Sequence, residues 1–404
     1  MINSIFKKVL ADIPNSAAGM DRQSFISMKI ISLSQEEKKA MQNHFEKYLL
    51  YMQQQNASDI EFGGPTAQES IWFRIYGKKQ PRHELGKISQ HQADVICQCL
   101  LTETLRKELF TKLAVDFSYE LYHNSTSMRW RATMYFDMGH LALNMRTISN
   151  TIYPLHTYGF HPNIERTLSL VHEKQGLILL TGITGSGKST TMDSIVDANN
   201  KTSEAHIVII GDPIEHVHNS KKCIVRHREV GKDVLSFKDG AIQALRQDPD
   251  IIIVGEMRDP ETIMTCLEIT DTGHKVFSTL HTASAVETID RIVAECPPAE
   301  QERIRNRLAD VLRVIISQKL VPTLDEKLTL AKEVLLVTSS VKAAIRNNNT
   351  HEIYQMINQG GKLGMITLEQ DLIRLFNQRV ITKQTAYDFA NNKHRIKELL
   401  QHKF

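Results

Sequence analysis

The 404-residue chain is too long for one ordinary hydrophobic core and suits two domains, each able to bury an interior of its own. A net charge of +3 over that length gives no electrostatic case for nucleic acid or an anionic membrane as the main partner. No apolar run approaches the roughly 18–20 residues that span a bilayer, and residues 1–17 lack the apolar core of a secretory signal, so a soluble, unexported chain is expected. The cysteines Cys97, Cys99, Cys223, Cys266 and Cys296 are odd in number and scattered, which fits reduced thiols in a cytoplasm. Cys97 and Cys99 stand one residue too close for a CxxC pair.

Residues 1–38 are polar with short apolar pieces and are expected to form an N-terminal extension, a mobile tail. Gln35 to Gln55 reads as a helix, with Met41, Phe45, Leu49 and Met52 at three and four spacing marking its core face. Ser70–Tyr76, Asp116–Tyr122 and Ser127–Phe136 alternate as antiparallel strands do, and a helical stretch, Gln92–Leu113, separates them. This is an α+β domain over residues 39–152. Pro154 and Gly159 give residues 153–164 the turn chemistry of a linker. From 165 to 404 the texture changes to short, wholly apolar strands between helices: Leu177–Leu180, Ile207–Ile210, Ile251–Val254 and Val276–Leu280. Such runs predict an α/β domain with a parallel-rich sheet covered on both faces.

Gly182-Ile-Thr-Gly-Ser-Gly-Lys-Ser189 matches GxxxxGK[ST] and lies between an apolar strand and a helical stretch beginning at Thr190. Glycines let backbone N–H groups close on phosphate oxygens, and the following helix turns its positive end to the same anion. Gly182, Ile183, Thr184, Gly185, Ser186, Gly187, Lys188, Ser189 and Thr190 are therefore the candidate nucleotide cradle, for ATP with Mg²⁺. Lys188 is expected on the β and γ phosphates and Ser189 on the metal. The alternative, a glycine-rich turn with a surface lysine, requires a chance match on the order of a per cent at ordinary glycine usage.

Phosphoryl transfer also needs a carboxylate near the metal, a group to orient water, and cations for developing charge. Asp248-Pro-Asp-Ile-Ile-Ile-Val-Gly-Glu256 is an apolar strand ending in a carboxylate, the layout of a Walker B element, with Glu256 as a metal ligand through water. Ile207–Ile210 runs into Gly211-Asp212-Pro213-Ile214-Glu215, which makes Glu215 the candidate general base, although Asp212-Pro213 also fits a plain turn. His274 and His281 flank another apolar strand, so both could face the nucleotide as γ-phosphate sensors if a family resemblance supports that role, although a lone histidine there is more often structural.

Taken in order, the phosphate loop, Asp212-Pro-Ile-Glu215, Asp248 to Asp259 and Thr272 to Thr282 resemble the secretion-ATPase superfamily, specifically its PilT-like members. Ala57-Ser-Asp59, Arg74, Gly77, Arg129-Trp-Arg131, Met145-Arg-Thr-Ile148 and Leu363-Gly-Met365 extend the resemblance over all but the first forty or so residues. It implies a PAS-like N-terminal domain before a RecA-like ATPase domain in a homohexameric ring. It assigns Glu215 as the catalytic carboxylate, Glu256 as the Walker B glutamate and His281 to a His box. Arg131 and Arg146, then Arg129, become the N-terminal phosphate contacts, although an isolated arginine on a strand is usually a solvated charge.

Three positions depart from that pattern: Gly211 for an acidic residue, Gln175 for a basic one whose phosphate contact is then absent or taken over by Lys174, and Glu61 for a histidine. No four-cysteine zinc module follows Glu256, which favours the retraction branch over pilus extension and type II secretion. Ser339–Asn347, with Ala343-Ala-Ile-Arg346, stands near the Ala-Ile-Arg loop of that branch but matches it poorly. The resemblance thus implies an ATPase powering pilus retraction from the cytoplasm, peripheral to the inner membrane. Its partners would be a platform protein and other pilus motor ATPases. An accessory ring subunit or a conjugation or secretion motor are the alternatives.

Overall fold

The computed structural model describes residues 1–401 apart from 15, 76, 124, 125, 149 and 150. Tyr76, the expected end of one strand, and residues 149, 150 and 402–404 of the expected domains lie outside the described residues. The chain divides into two compact units, Met1–Asn150 and Thr151–Phe404.

The first unit opens on two helices, α1 (Ile2–Leu10) and α2 (Gly19–Ile31), where a mobile tail is expected. Ile5, Phe6 and Val9 of α1, with Ile26 and Ile30 of α2, are buried in the unit's core. Their three and four spacing gives each helix one apolar face, and burying it anchors the segment. α3 (Gln35–Gln54) starts at a capping box formed by Ser34 and Glu37 and buries Met41, Phe45, Leu49 and Met52, as the spacing predicts.

β1 (Asp59–Gly63), β2 (Trp72–Ile75) and β3 (Lys78–Pro81) follow. The single helical stretch expected next is two helices, α4 (Gln90–Leu100) and α5 (Glu103–Lys112), because the Thr102 hydroxyl caps a new start by accepting from Leu105 N at 3.3 Å. β4 (Ala114–His123), β5 (Thr126–Asp137) and β6 (His140–Ile148) complete a six-stranded sheet of order β3-β2-β1-β6-β5-β4, antiparallel at every pairing. Trp130, Ala132 and Met134 of β5 enter the core, so Arg129, Arg131 and Thr133 take the opposite face.

The second unit contains α6 (Pro162–Leu168), β7 (Gly176–Thr181), α7 (Lys188–Thr202), β8 (His206–Gly211), β9 (Ile224–Glu229) and α8 (Phe237–Ala244). β10 (Ile251–Val254), α9 (Pro260–Asp271), β11 (Lys275–Leu280), α10 (Ala285–Ala294), α11 (Gln301–Val311), β12 (Leu312–Pro322) and β13 (Leu328–Leu336) follow. The last helices are α12 (Ser339–Arg346), α13 (Ile353–Gln359), α14 (Leu368–Asn377), α15 (Lys383–Phe389) and α16 (Lys393–Gln401).

Its seven strands run in the order β13-β12-β7-β11-β10-β8-β9, and only the β12–β13 pairing is antiparallel. Alternation explains the apolar runs: Leu177 and Leu179 face one core, while Ile178 and Leu180 face another on the sheet's far side. The stretch expected as a linker adds Phe160 and Ile164 to that second core. α12 occupies the Ala343–Arg346 stretch, burying Ala344 and Ile345, so a helix stands where the resemblance places a loop.

All five cysteines are free and buried. Burial pushes every one of their thiols up, to about 12 at Cys99 and Cys266.

Candidate functional site

Because β7, β11, β10 and β8 are parallel neighbours, the loops after them leave the sheet at one edge and in that order. They carry the phosphate loop, His281, Glu256 and the Asp212–Glu215 segment in turn. This is the carboxyl edge, where open α/β sheets bind ligands.

The loop from Gly182 to Gly187 is shaped by backbone that glycine alone adopts readily. Gly182, Gly185 and Gly187 have φ of 141°, 81° and 89°. At Gly182 a Cβ would also stand 2.5 Å from both Gln318 O of β12 and Ser186 Oγ, so the loop is wrapped tightly against the sheet. At Gly185 a Cβ would meet nothing within 4 Å, which leaves the loop's outer side open to a ligand. Gly187 is the N-cap of α7 and offers no side-chain cap, so the helix's first N–H groups remain for an anion.

Ile183, Thr184 and Ser189 are exposed, and Thr190 is half-buried. Ser186 is buried, and its Oγ has no hydrogen-bond partner among the described residues. Lys188 is buried and its Nζ donates to Gly182 O at 2.7 Å and Ile183 O at 3.2 Å. Burial lowers its pKa, while the charges of Glu256 and Glu215 pull it back up. Both carboxylates therefore act on the ammonium group, which brings three of the predicted residues into one electrostatic field.

Glu256 is the junction of the edge. His281 Nε2 lies 3.2 Å from its Oε1, and Arg258 Nε lies 2.7 Å from its Oε2. Backbone ties fix this meeting: Met257 N donates to Thr279 O at 3.1 Å, and Thr279 Oγ1 donates to Gly255 O at 2.7 Å. Arg258 was not singled out from the sequence, although it stands inside the Asp248–Asp259 motif. Glu215 and Asp212 are exposed on the loop after β8, beyond a cis Asp212–Pro213 bond. At Gly211 a Cβ would come 2.8 Å from Ile214 Cδ1, so the acidic side chain usual in the family would have to displace Ile214.

Other expected residues fall elsewhere. His274 precedes β11 at the sheet's amino edge, where its Nδ1 meets Thr272 Oγ1 at 3.0 Å and Ile269 O at 3.2 Å. The six residues of β11 put it roughly 20 Å from His281, so it is a structural histidine and not a second sensor. Lys174 and Gln175 precede β7 at that same amino edge, so neither replaces a phosphate contact at the loop of their own unit. The arginines belong to the first unit, on a row of directly opposed residues: Arg74, Asp59, Arg146, Arg131. Arg146 Nε donates to Asp59 Oδ1 at 2.9 Å, and Arg131 is exposed. Glu61 pairs with Lys79 and accepts from Asn144 Nδ2 at 3.3 Å.

The donor set fits a nucleoside triphosphate with Mg²⁺. An anion-binding loop, a helix start, one buried cation and the oxygen donors of Ser189 and Glu256 lie on loops that leave the sheet at one edge.

The sequence profile of the type II/IV secretion system protein family matches residues 34–384. The chain is 36% identical over 342 residues to PilT, the type IV pilus retraction ATPase of Pseudomonas aeruginosa, covering 85% of this chain and 96% of that one. It is 38% identical over 321 residues to a twitching motility protein of Neisseria gonorrhoeae, covering 79% and 84%. Among solved structures, that of the pilus retraction motor PilT with bound ADP superposes with a TM-score of 0.78 at 35% identity, over 87% of this chain and 98% of that one. The mixed α/β fold and the order of the motifs agree with these likenesses. The chain belongs to the type II/IV secretion system protein family and groups, within it, with the PilT-like ATPases.

Proposed function

We propose that this chain hydrolyses ATP to ADP and phosphate as a homohexameric motor that retracts type IV pili. The observation that carries the reading is the shared edge: a phosphate loop whose buried Lys188 feels Glu215 and Glu256, with Glu256 in contact with His281. In this reading the loop's N–H groups and Lys188 hold the phosphates, and Glu215 takes the proton of the attacking water. Ser189, and Glu256 through water, would hold Mg²⁺, which would supply charge neutralisation at the phosphates. His281 and Arg258 fix the Glu256 carboxylate, and Arg131 and Arg146 serve as phosphate contacts. No helix among the described residues is long and apolar enough to cross a membrane. Work at the inner membrane therefore rests on docking, to a platform protein and to other pilus motor ATPases.

A second reading, a motor of another secretion system, is favoured by the ATPase DotB of Legionella pneumophila, whose structure superposes with a TM-score of 0.67 at 25% identity over 93% of this chain. A deletion strain separates the two. Retraction predicts excess surface pili by electron microscopy and lost twitching, both restored by the wild type and not by Glu256→Ala. Bald cells would make it an extension motor, and normal pili with a secretion defect would favour the second reading.

A further inference from the structure

The first unit holds a cluster that nucleotide chemistry does not use. His91 and Asp94 lie three residues apart on α4, hence on one helix face, and His140 opens β6. Asp94 is fully buried. Its Oδ1 accepts from Leu141 N at 2.8 Å. Its Oδ2 lies 2.9 Å from His140 Nδ1 and 4.0 Å from His91 Nδ1. One ligand atom from each of the three residues falls within 4.8 Å of the others. His91 Nδ1 is shielded from solvent and has no hydrogen-bond partner among the described residues, an arrangement that native structures rarely leave unexplained.

We propose that His91, Asp94 and His140 bind a divalent cation of the zinc class, tying the start of α4 to the β5–β6 turn. Two imidazole nitrogens and one carboxylate oxygen suit zinc and its transition-metal neighbours and are a poor set for Mg²⁺ or Ca²⁺, which take oxygen. In a tetrahedral zinc site with bonds of about 2.0–2.1 Å, ligand atoms stand roughly 3.3 Å apart, so the present separations, which are within 4.8 Å, have to close by up to about 1.5 Å. Three protein ligands leave a fourth tetrahedral position for water. Arg22 of α2 is near enough for its charge to act on His91, and it sets the affinity below that of a closed structural site. The turn so fixed joins the two strands that carry Arg131 and Arg146.

Equilibrium dialysis of the full-length, metal-stripped protein against Zn²⁺ tests the assignment. The readout is the difference between wild type and variants, which removes any zinc taken up by other histidines of the chain. The wild type is expected to take up about one zinc per chain more than His91→Gln or His140→Gln. Its melting temperature should rise on the order of 5 °C in saturating zinc, and those of the variants should not. Co²⁺ should give a visible ligand-field band in the wild type alone. Equal zinc uptake by wild type and the folded His91→Gln variant, checked by circular dichroism, would overturn the proposal. So would an equal thermal shift with Mg²⁺.

Discussion

Glu256 meets two side chains of its own chain, Arg258 at 2.7 Å and His281 at 3.2 Å, and groups that share one carboxylate cannot contribute independently. Glu256→Gln and His281→Ala are each expected to lower kcat by about 10²-fold or more, and the double variant should be scarcely worse than the poorer single. Multiplying losses in a steady-state ATPase assay would show that the two act separately. The loop, Glu215, Glu256 and His281 were legible because each sits at a fixed step from an apolar strand, so that sequence order and parallel topology bring them to one edge. Arg258 was missed because its motif position alone says nothing about what it touches. His274 was misplaced as a candidate sensor for the converse reason: a histidine at a strand's start and one at its end look alike in sequence, yet they leave opposite edges of the sheet.

Among the elements, β11 and β13 bury titratable groups that predict two separate pH responses. Burial raises the Glu333 carboxyl to about 7, the nearby Glu369 charge adding to the effect, although Oε1 accepts from Ala285 N at 2.8 Å. Its folded pKa exceeds the unfolded value, so the protonated form stabilises the fold fully below about pH 4.5, and that contribution is lost as pH rises through about 7. The swing is about 3 kcal/mol. Burial lowers Lys275 to about 7, although its Nζ donates to Thr167 O at 2.6 Å and Glu173 O at 2.9 Å. The folded state then sheds its proton before the unfolded chain does, so stability rises from about pH 7 towards 10.5. Urea melts across pH should show the first slope vanish in Glu333→Gln while the second survives. An unchanged acid-side slope in that variant would remove Glu333 as its source. Four strands of the second unit, β7, β8, β10 and β11, followed from apolar runs, but β9, β12 and β13 did not, nor did α1, α2 and the α4–α5 break. The α1 signal was present in the spacing of Ile5, Phe6 and Val9, and only the polar background of the segment hid it. α12 buries a helix face, Val341, Ala344 and Ile345, in a stretch that matches the family's Ala-Ile-Arg loop only poorly.

For the molecule as a whole, two cores of different construction lie in sequence, one behind an antiparallel sheet and one divided by a parallel sheet. The sequence pattern announced both, since alternating runs precede the phosphate loop and wholly apolar runs surround it. The proposed ring would leave no such pattern, because subunit contacts are written in surface complementarity and not in hydrophobic period. The buried cysteines give the two cores separate reporters. Cys97 and Cys99 belong to the first unit, and Cys223, Cys266 and Cys296 to the second. Raised thiol pKa values and burial make all five silent to alkylating reagents while the fold is closed. Pulsed alkylation along a denaturant series, read by mass spectrometry, should therefore label the thiols of each unit as a set, and mixed labelling of the two sets at one midpoint would mean that they open together. The chain thus carries its own clock for which half lets go first, with no dye, tag or engineered site added.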